Sequence, residues 1–298
     1  MDKIYTMKQH VAILSYFSVG AYDSNTVDEN QILSDILTEL NISHEIVIWS
    51  DHSVNWNRFS LLLFKSTWDY FDFYPEFLAW LDDIKKLGIP TLNNLDVILW
   101  NSSKKYLLEI ESKGFPVISG MILEKGSHIS QEEIATKTKS ETWVIKPLVS
   151  GGAKKTLKLD RKNWNTHADK IQDWVTEESF LVQPFISEVE EIGEYSLVFF
   201  NGKFSHAVLK TPLKNDFRVQ HYFGGTIKSI VPSESMLASC QELVQEFTKD
   251  CLYVRVDGVE IAGIFYLMEL ELIEPYLFLA VSDQAINNYK NALADRIV

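Results

Sequence analysis

Three carboxylates stand in two apolar, strand-like runs of the C-terminal third: Asp257 in "VRVDGV", and Glu269 and Glu271 in "YLMELELIEP", a run that also holds Glu274. Successive strand residues point to opposite faces, so strict alternation puts Glu269 and Glu271 on one face and Met268, Leu270 and Leu272 on the other. Buried without partners, such a pair costs several kcal/mol or takes up a proton. Asp257 lies twelve positions before Glu269. At that spacing two antiparallel strands with a short turn at "GVEIAG" bring it opposite the pair. Three oxygen ligands with no Cys or His suit a hard cation, Mg2+ or Mn2+, which shares its shell with waters and phosphates. A solvated strand face is the plainer reading of a lone Glu-x-Glu, and Asp257 at this spacing favours the metal.

A metal shared with phosphates needs basic partners. Lys146 in "WVIKPLV" and Lys210 in "HAVLKTP" are isolated lysines within apolar strands, where a single one would ordinarily snorkel at a sheet edge. Behind Lys146 comes "SGGAKK", in which Ser150, Gly151 and Gly152 are small enough for backbone N–H groups to approach phosphate oxygens. Hairpin turns use the same residues. His206 and His221 read as strand or loop residues rather than bases, with His221 in "FRVQHYFGG" where an acceptor would sit. Trp68, Asp69 and Tyr70 are open to two readings, substrate contacts at the mouth of the leading lobe or a packed loop.

The elements that must position these groups fall into two rhythms. His10 to Tyr16, His44 to Trp49 and Phe59 to Ser66 read as strands; Val27 to Leu40 and Pro75 to Gly88 read as helices, the second with proline near its start and glycine at its end. Alternation of this kind implies a small parallel α/β sheet. From Ser102 to Gly114, a further helix, the pattern changes. Thr142 to Leu159 looks like two strands joined by a glycine-containing turn, Ser179 to Ile186 like another, and Glu194 to Pro212 like a hairpin turning at Asn201 and Gly202. A helix then precedes the two carboxylate strands.

A chain of 298 residues has room for two or three lobes, and its 46% hydrophobic content is that of a folded protein. A net charge of −13 argues against a broad polyphosphate surface such as duplex nucleic acid. Cys240 and Cys251 read as free, reduced thiols. The opening "MDKIYTMKQHVAILSYF" has neither a membrane-spanning apolar run nor a cleavage signature, so cytoplasmic residence without a membrane partner is the expectation.

Taken in order, "KKYL", "WVIKP", "SGGA", "LVQPFI", "EYSLVFFNGKFSHAVLK", "DFRVQHYFGG", "RVDG" and "LMELELIEP" resemble the ATP-grasp fold. The nearest branch holds bacterial glutathione synthetase, the ribosomal-protein glutamate ligases and the D-cycloserine cyclo-ligase. The resemblance runs from about Lys104 to Leu279. It implies an α/β (α+β) protein: an N-terminal parallel pre-ATP-grasp lobe at 1–100 and an ATP-grasp domain at 101–298, with a lid at about 115–185 and a C-terminal lobe at about 186–298. "KSTWDYFDFYPEFLAWL" is similar to the cyclo-ligase subgroup, in which arginine is more usual at Lys65. Lysine keeps the charge and loses the planar fork.

By this resemblance Lys104 (or its neighbour Lys105) and Lys146 contact ATP phosphates, beside Ser150, Gly151 and Gly152. Gln183, Phe185 and Ile186 form the hinge strand whose backbone reads the adenine edge, and Glu188 or Glu194 takes the ribose hydroxyls. Lys210 and Arg218 face the γ-phosphate and the acyl-phosphate formed from it. Asp257, Glu269 and Glu271 hold two Mg2+ ions, although asparagine is common where Glu271 stands. The implied activity is ATP-dependent joining of a small-molecule carboxylate to an amine, with ADP and phosphate released and the enzyme a homo-oligomer. Alternatives are an intramolecular cyclo-ligase and a non-catalytic ATP-binding regulator.

Overall fold

The computed structural model describes residues 9–18, 27–213 and 224–297; Arg218 and His221 lie outside the described residues. Strand and helix alternate first, through β1 (His10–Ser15), α1 (Glu29–Glu39), β2 (Ser43–Ile48), β3 (Leu61–Ser66), α2 (Tyr74–Leu87) and β4 (Thr91–Leu92). Among the described residues these strands form a parallel sheet of order β2-β1-β3-β4. Val11, Ala12, Ile13 and Leu14 are all 0% exposed, as a strand covered on both faces requires. Asp28 caps α1 by accepting from the Asn30 and Gln31 amides. In α2, Pro75 sits in the first turn, Phe77, Leu81 and Ile84 form the buried stripe, and Gly88 ends the helix in the left-handed region.

Next come α3 (Leu95–Asn101) and α4 (Tyr106–Ser112). The helix expected from Ser102 to Gly114 is therefore shorter, because the Lys104 amide donates to the Leu148 carbonyl (2.8 Å) and ties the intervening turn to the next lobe. That lobe comprises β5 (Met121–Leu123), α5 (Gln131–Thr138), β6 (Thr142–Pro147), β7 (Leu157–Asp160), α6 (Trp164–Glu177) and β8 (Phe180–Pro184). Its antiparallel sheet, order β5-β8-β6-β7, packs Trp143, Ile145 and Phe180 against Ile171 and Val175 of α6. Between β6 and β7 lies a loop, 148–156, rather than a tight turn.

The chain continues through α7 (Glu188–Glu191), β9 (Glu194–Phe200), β10 (Lys203–Thr211), β11 (Thr226–Ile230), α8 (Glu234–Phe247), β12 (Tyr253–Ile261), β13 (Ile264–Glu271) and α9 (Asp283–Ile297). Its antiparallel sheet has order β11-β10-β9-β12-β13 among the described residues. The β9–β10 hairpin turns at Asn201 and Gly202, both at positive φ, as read from the sequence. One face buries Phe199, Val254 and Leu270 against Leu243 and Val244 of α8. On the other face, Val198 and Tyr253, with Tyr289 and Leu293 of α9, join Val11, Leu33 and Phe64 in one core, so the leading lobe is not closed on itself.

The β12–β13 hairpin contains the feature that builds the site. It turns at Ala262 and Gly263 and pairs regularly down to Gly258 opposite Leu267. There β13 carries one extra residue, Met268, after which Asp257 faces Glu269 and Arg255 faces Glu271. Such a bulge reverses the parity of everything beyond it. Phe265 and Leu267 before it and Leu270 and Leu272 after it share the α8 core, while Met268 packs with Ile118, Val189 and Val259. Strict alternation had put Met268 with Leu270 and Leu272; the bulge corrects that. A Cβ on Gly258 would lie 2.3 Å from the Tyr266 carbonyl oxygen, so only glycine lets the strands close here.

Candidate active site

Between the three sheets lies a cavity of about 370 Å3. Its floor is the bulged sheet. Opposite residues in antiparallel strands share a face, and the registers Lys210 to Glu194, Ser196 to Asp257, Asp257 to Glu269 and Arg255 to Glu271 place seven polar side chains on one surface. Lys146 reaches in from β6 of the lid, Lys104 from the α3–α4 turn, and Trp68 and Tyr70 from the leading lobe.

Asp257 is 2% exposed and both its oxygens are taken. Oδ1 accepts from Ser196 Oγ (2.6 Å) and Arg255 Nε (3.0 Å); Oδ2 accepts from Arg255 Nη2 (2.8 Å) and Lys210 Nζ (3.1 Å). Burial alone would push this carboxyl up, but Arg255 and Lys210 outweigh it and hold it below the usual carboxylate range. Lys210 also pairs with Glu194. Burial lowers the Lys210 ammonium while Asp257 and Glu194 raise it, and the net direction is upward. Glu269 follows the Asp257 pattern, with burial overcome by Lys104 (3.1 Å) and Lys146. Glu271 does not. Although Arg255 pairs with it, burial and the neighbouring Asp257 and Glu269 push its carboxyl up to about 7.

Lys146 has no hydrogen-bond or ion-pair partner among the described residues. Burial lowers its ammonium below the usual range against the pull of Glu269. The loop behind it is clamped from outside: a Cβ on Gly151 would lie 2.5 Å from the Phe71 ring, and Lys154 pairs with Asp72. Lys104 Nζ meanwhile donates to the Ser150 carbonyl (2.7 Å). Four cations, Lys104, Lys146, Lys210 and Arg255, thus surround the carboxylate face.

No three carboxylate, histidine or cysteine side chains among the described residues converge closely enough to hold an ion as they stand. The donor chemistry still fits a hard cation. Glu269 and Glu271 each have one oxygen on a protein cation and the other unclaimed among the described residues, with side chains 31% and 27% exposed to the cavity. Asp257 would have to exchange Arg255 or Lys210 for a metal.

The structure brings together Lys104, Lys146, Ser150, Gly151, Gly152, Gln183, Phe185, Ile186, Glu194, Lys210, Asp257, Glu269 and Glu271 around one cavity. Glu188 is not in its lining, and Lys105 points away to Glu124 (3.2 Å). The Gln183 side chain is turned to the Ile118 carbonyl (2.6 Å), and the Phe185 amide donates to the Thr142 carbonyl (2.8 Å), so neither of those groups would read a base. Asp69 accepts from Trp49 Nε1 (2.6 Å) and is structural, whereas Trp68 and Tyr70 line the cavity. His206 is buried, with Nε2 at the Leu277 carbonyl (2.8 Å). Lys65 is also outside the cavity, buried against Glu29 (2.7 Å). Arg255 was not singled out from the sequence, although a lone arginine in "LYVRVDG", two residues before Asp257, had to share its face.

Known proteins are similar to this chain in sequence and fold. Over 271 residues the chain is 27% identical to the cycloserine biosynthesis protein DcsG of Streptomyces lavendulae, spanning 86% of this chain and 89% of that protein. The crystal structure of D-cycloserine synthetase DcsG has the same fold, with a TM-score of 0.83 at 24% identity over 97% of this chain and 100% of the other. D-alanine–D-alanine ligase from Bacillus anthracis, complexed with ATP, gives a TM-score of 0.65 at 15% identity over 96% of each. Residues 11–93 match the N-terminal domain of D-cycloserine synthetase DcsG. Residues 121–285, more than half the chain, match the prokaryotic glutathione synthetase ATP-grasp domain, and the chain belongs to that family.

Proposed function

We propose that the cavity activates a carboxylate with Mg-ATP and joins it to an amine. A carboxylate oxygen bonds to the γ-phosphorus as the bond to ADP breaks; the amine then attacks the carbonyl carbon and phosphate leaves. The observation that carries this reading is the unpartnered Lys146 above a face whose carboxylates already hold Lys104, Lys210 and Arg255. Positive charge fixed in a cleft before substrate arrives is what a transferring phosphoryl group needs. Lys146, Lys104 and the Ser150–Gly152 backbone hold phosphates, the hinge strand reads adenine through its backbone at Ile186, since the Phe185 amide is taken, and Glu194 takes the ribose in preference to Glu188. Lys210 and Arg255 neutralise charge at the reacting end, and Arg218 keeps the role implied by resemblance. Magnesium would be held by Glu269 and Glu271 and would draw charge from the phosphoryl oxygens. A second ion would require Asp257 to give up a cation.

An intramolecular variant, in which one amino-acid derivative closes on itself, is favoured by the leading lobe, which matches that of D-cycloserine synthetase and contributes Trp68 and Tyr70 to the cavity. We place the enzyme in the cytoplasm. The test is ADP and phosphate formation from Mg-ATP across amino acids, dipeptides and ureido or aminooxy derivatives, singly and in pairs, beside Glu269→Gln. A product with the mass of one substrate molecule less one water points to cyclisation, and a product that joins two molecules, alike or different, points to ligation. AMP and pyrophosphate would contradict the mechanism.

A further inference from the structure

The segment after β13 is held by side chains instead of a strand partner. Its successive carbonyls each meet a donor: Ile273 with Tyr253 OH (2.8 Å), Glu274 with Trp68 Nε1 (2.9 Å), Pro275 with Lys65 Nζ (3.1 Å), Tyr276 with Arg255 Nη1 (2.8 Å) and Leu277 with His206 Nε2 (2.8 Å). Glu29 accepts from the Leu277 and Leu279 amides (2.8 and 2.9 Å). A backbone fixed at every step fixes where its side chains project.

Glu274 projects into the cavity beside Trp68 and Tyr70. Its carboxyl has no hydrogen bond or ion pair among the described residues. Glu194, Asp257, Glu269 and Glu271 each carry a protein cation; Glu274 alone among the cavity's described carboxylates does not. Burial, reinforced by Glu271, pushes its carboxyl well above the usual range. A group so costly to leave unpaired, on a segment so firmly fixed, fits a partner that arrives from outside. Indole and phenol rings beside a carboxylate are the surroundings that favour an ammonium ion.

We propose that Glu274 binds the protonated amine of an amino-acid-class substrate, whose carboxylate lies toward the reacting end at Lys210 and Arg255. This rests on the ligase reading of the same cavity. The test measures ADP formation by wild-type and Glu274→Gln protein with free D- and L-amino acids and O-substituted serine derivatives, with the same compounds N-acetylated, and with ATP and Mg2+ varied in turn. Turnover should be confined to free amines. Glu274→Gln should raise their KM by about tenfold or more, the size of one lost charge-assisted hydrogen bond. Its KM for ATP and its Mg2+ dependence should stay within about twofold and its Tm should not fall. Equal use of N-acetylated compounds, an unchanged amine KM, a shift in Mg2+ or ATP dependence instead, or a lower Tm would each overturn the assignment. Mg-ATP binding without turnover of any compound by the wild type would instead sink the ligase reading, and this assignment with it.

Discussion

Gly258→Ala tests whether the bulge places the carboxylates. The added Cβ would stand 2.3 Å from the Tyr266 carbonyl oxygen and 2.4 Å from the tip of the Phe265 ring. Ordinary contact begins about 1 Å further out, and the carbonyl is backbone within the β12–β13 ladder. Either the strands part or the extra residue is lost and Glu269 turns toward α8. Overpacking of this kind costs about 3 kcal/mol, and a displacement near 1 Å at the reacting groups lowers turnover about a hundredfold. Gly263→Ala, at the tip of the same hairpin, is the control. Its φ of +80 strains alanine, but nothing lies within 4 Å of the new Cβ, so it should cost about 1 kcal/mol and leave turnover intact. Urea denaturation and ADP formation compare the two. Equal stability and equal turnover in both variants would refute the role given to the bulge.

Glu271 has a folded-state pKa of about 7, above its ordinary 4.5, so between those values the folded state holds more protons than the unfolded one and stability falls as pH rises. Glu271→Gln should therefore raise the Tm of the ligand-free protein at pH 8 and not at pH 4, by at most about 3 kcal/mol equivalent; a pH-independent Tm difference contradicts this. Lys146→Met removes an unpartnered, half-buried cation, so it should leave the ligand-free Tm unchanged or higher while weakening ATP binding about tenfold or more, measured by calorimetry. Glu29→Ala strands Lys65, which is 1% exposed, and should cost about 3 to 5 kcal/mol in denaturation, with Lys65→Met added to it restoring part of the loss.

Strands and turns with strong local signals were legible. The parallel leading lobe, the Asn201–Gly202 hairpin and the pairing of Asp257 with the Glu269 strand all follow from apolar period and turn chemistry. Register did not follow, because alternation gives parity within a strand and cannot see an inserted residue; Met268 was assigned to the wrong face for that reason. Long-range partners were equally hidden. Lys65, whose place in the subgroup pattern suggested a grip on something, holds Glu29 and the Pro275 carbonyl (3.1 Å). Family resemblance supplied Lys104, whose residue type alone among two adjacent lysines gives no reason to choose it, and the Leu148 hydrogen bond shows why the backbone turns it inward.

Oxygen transfer tests the central claim most directly. With both carboxylate oxygens of a turned-over substrate labelled with 18O, acyl-phosphate formation predicts one label in each released phosphate, read by mass spectrometry. Label in AMP, or unlabelled phosphate, would contradict activation of the carboxylate by γ-phosphoryl transfer at this face.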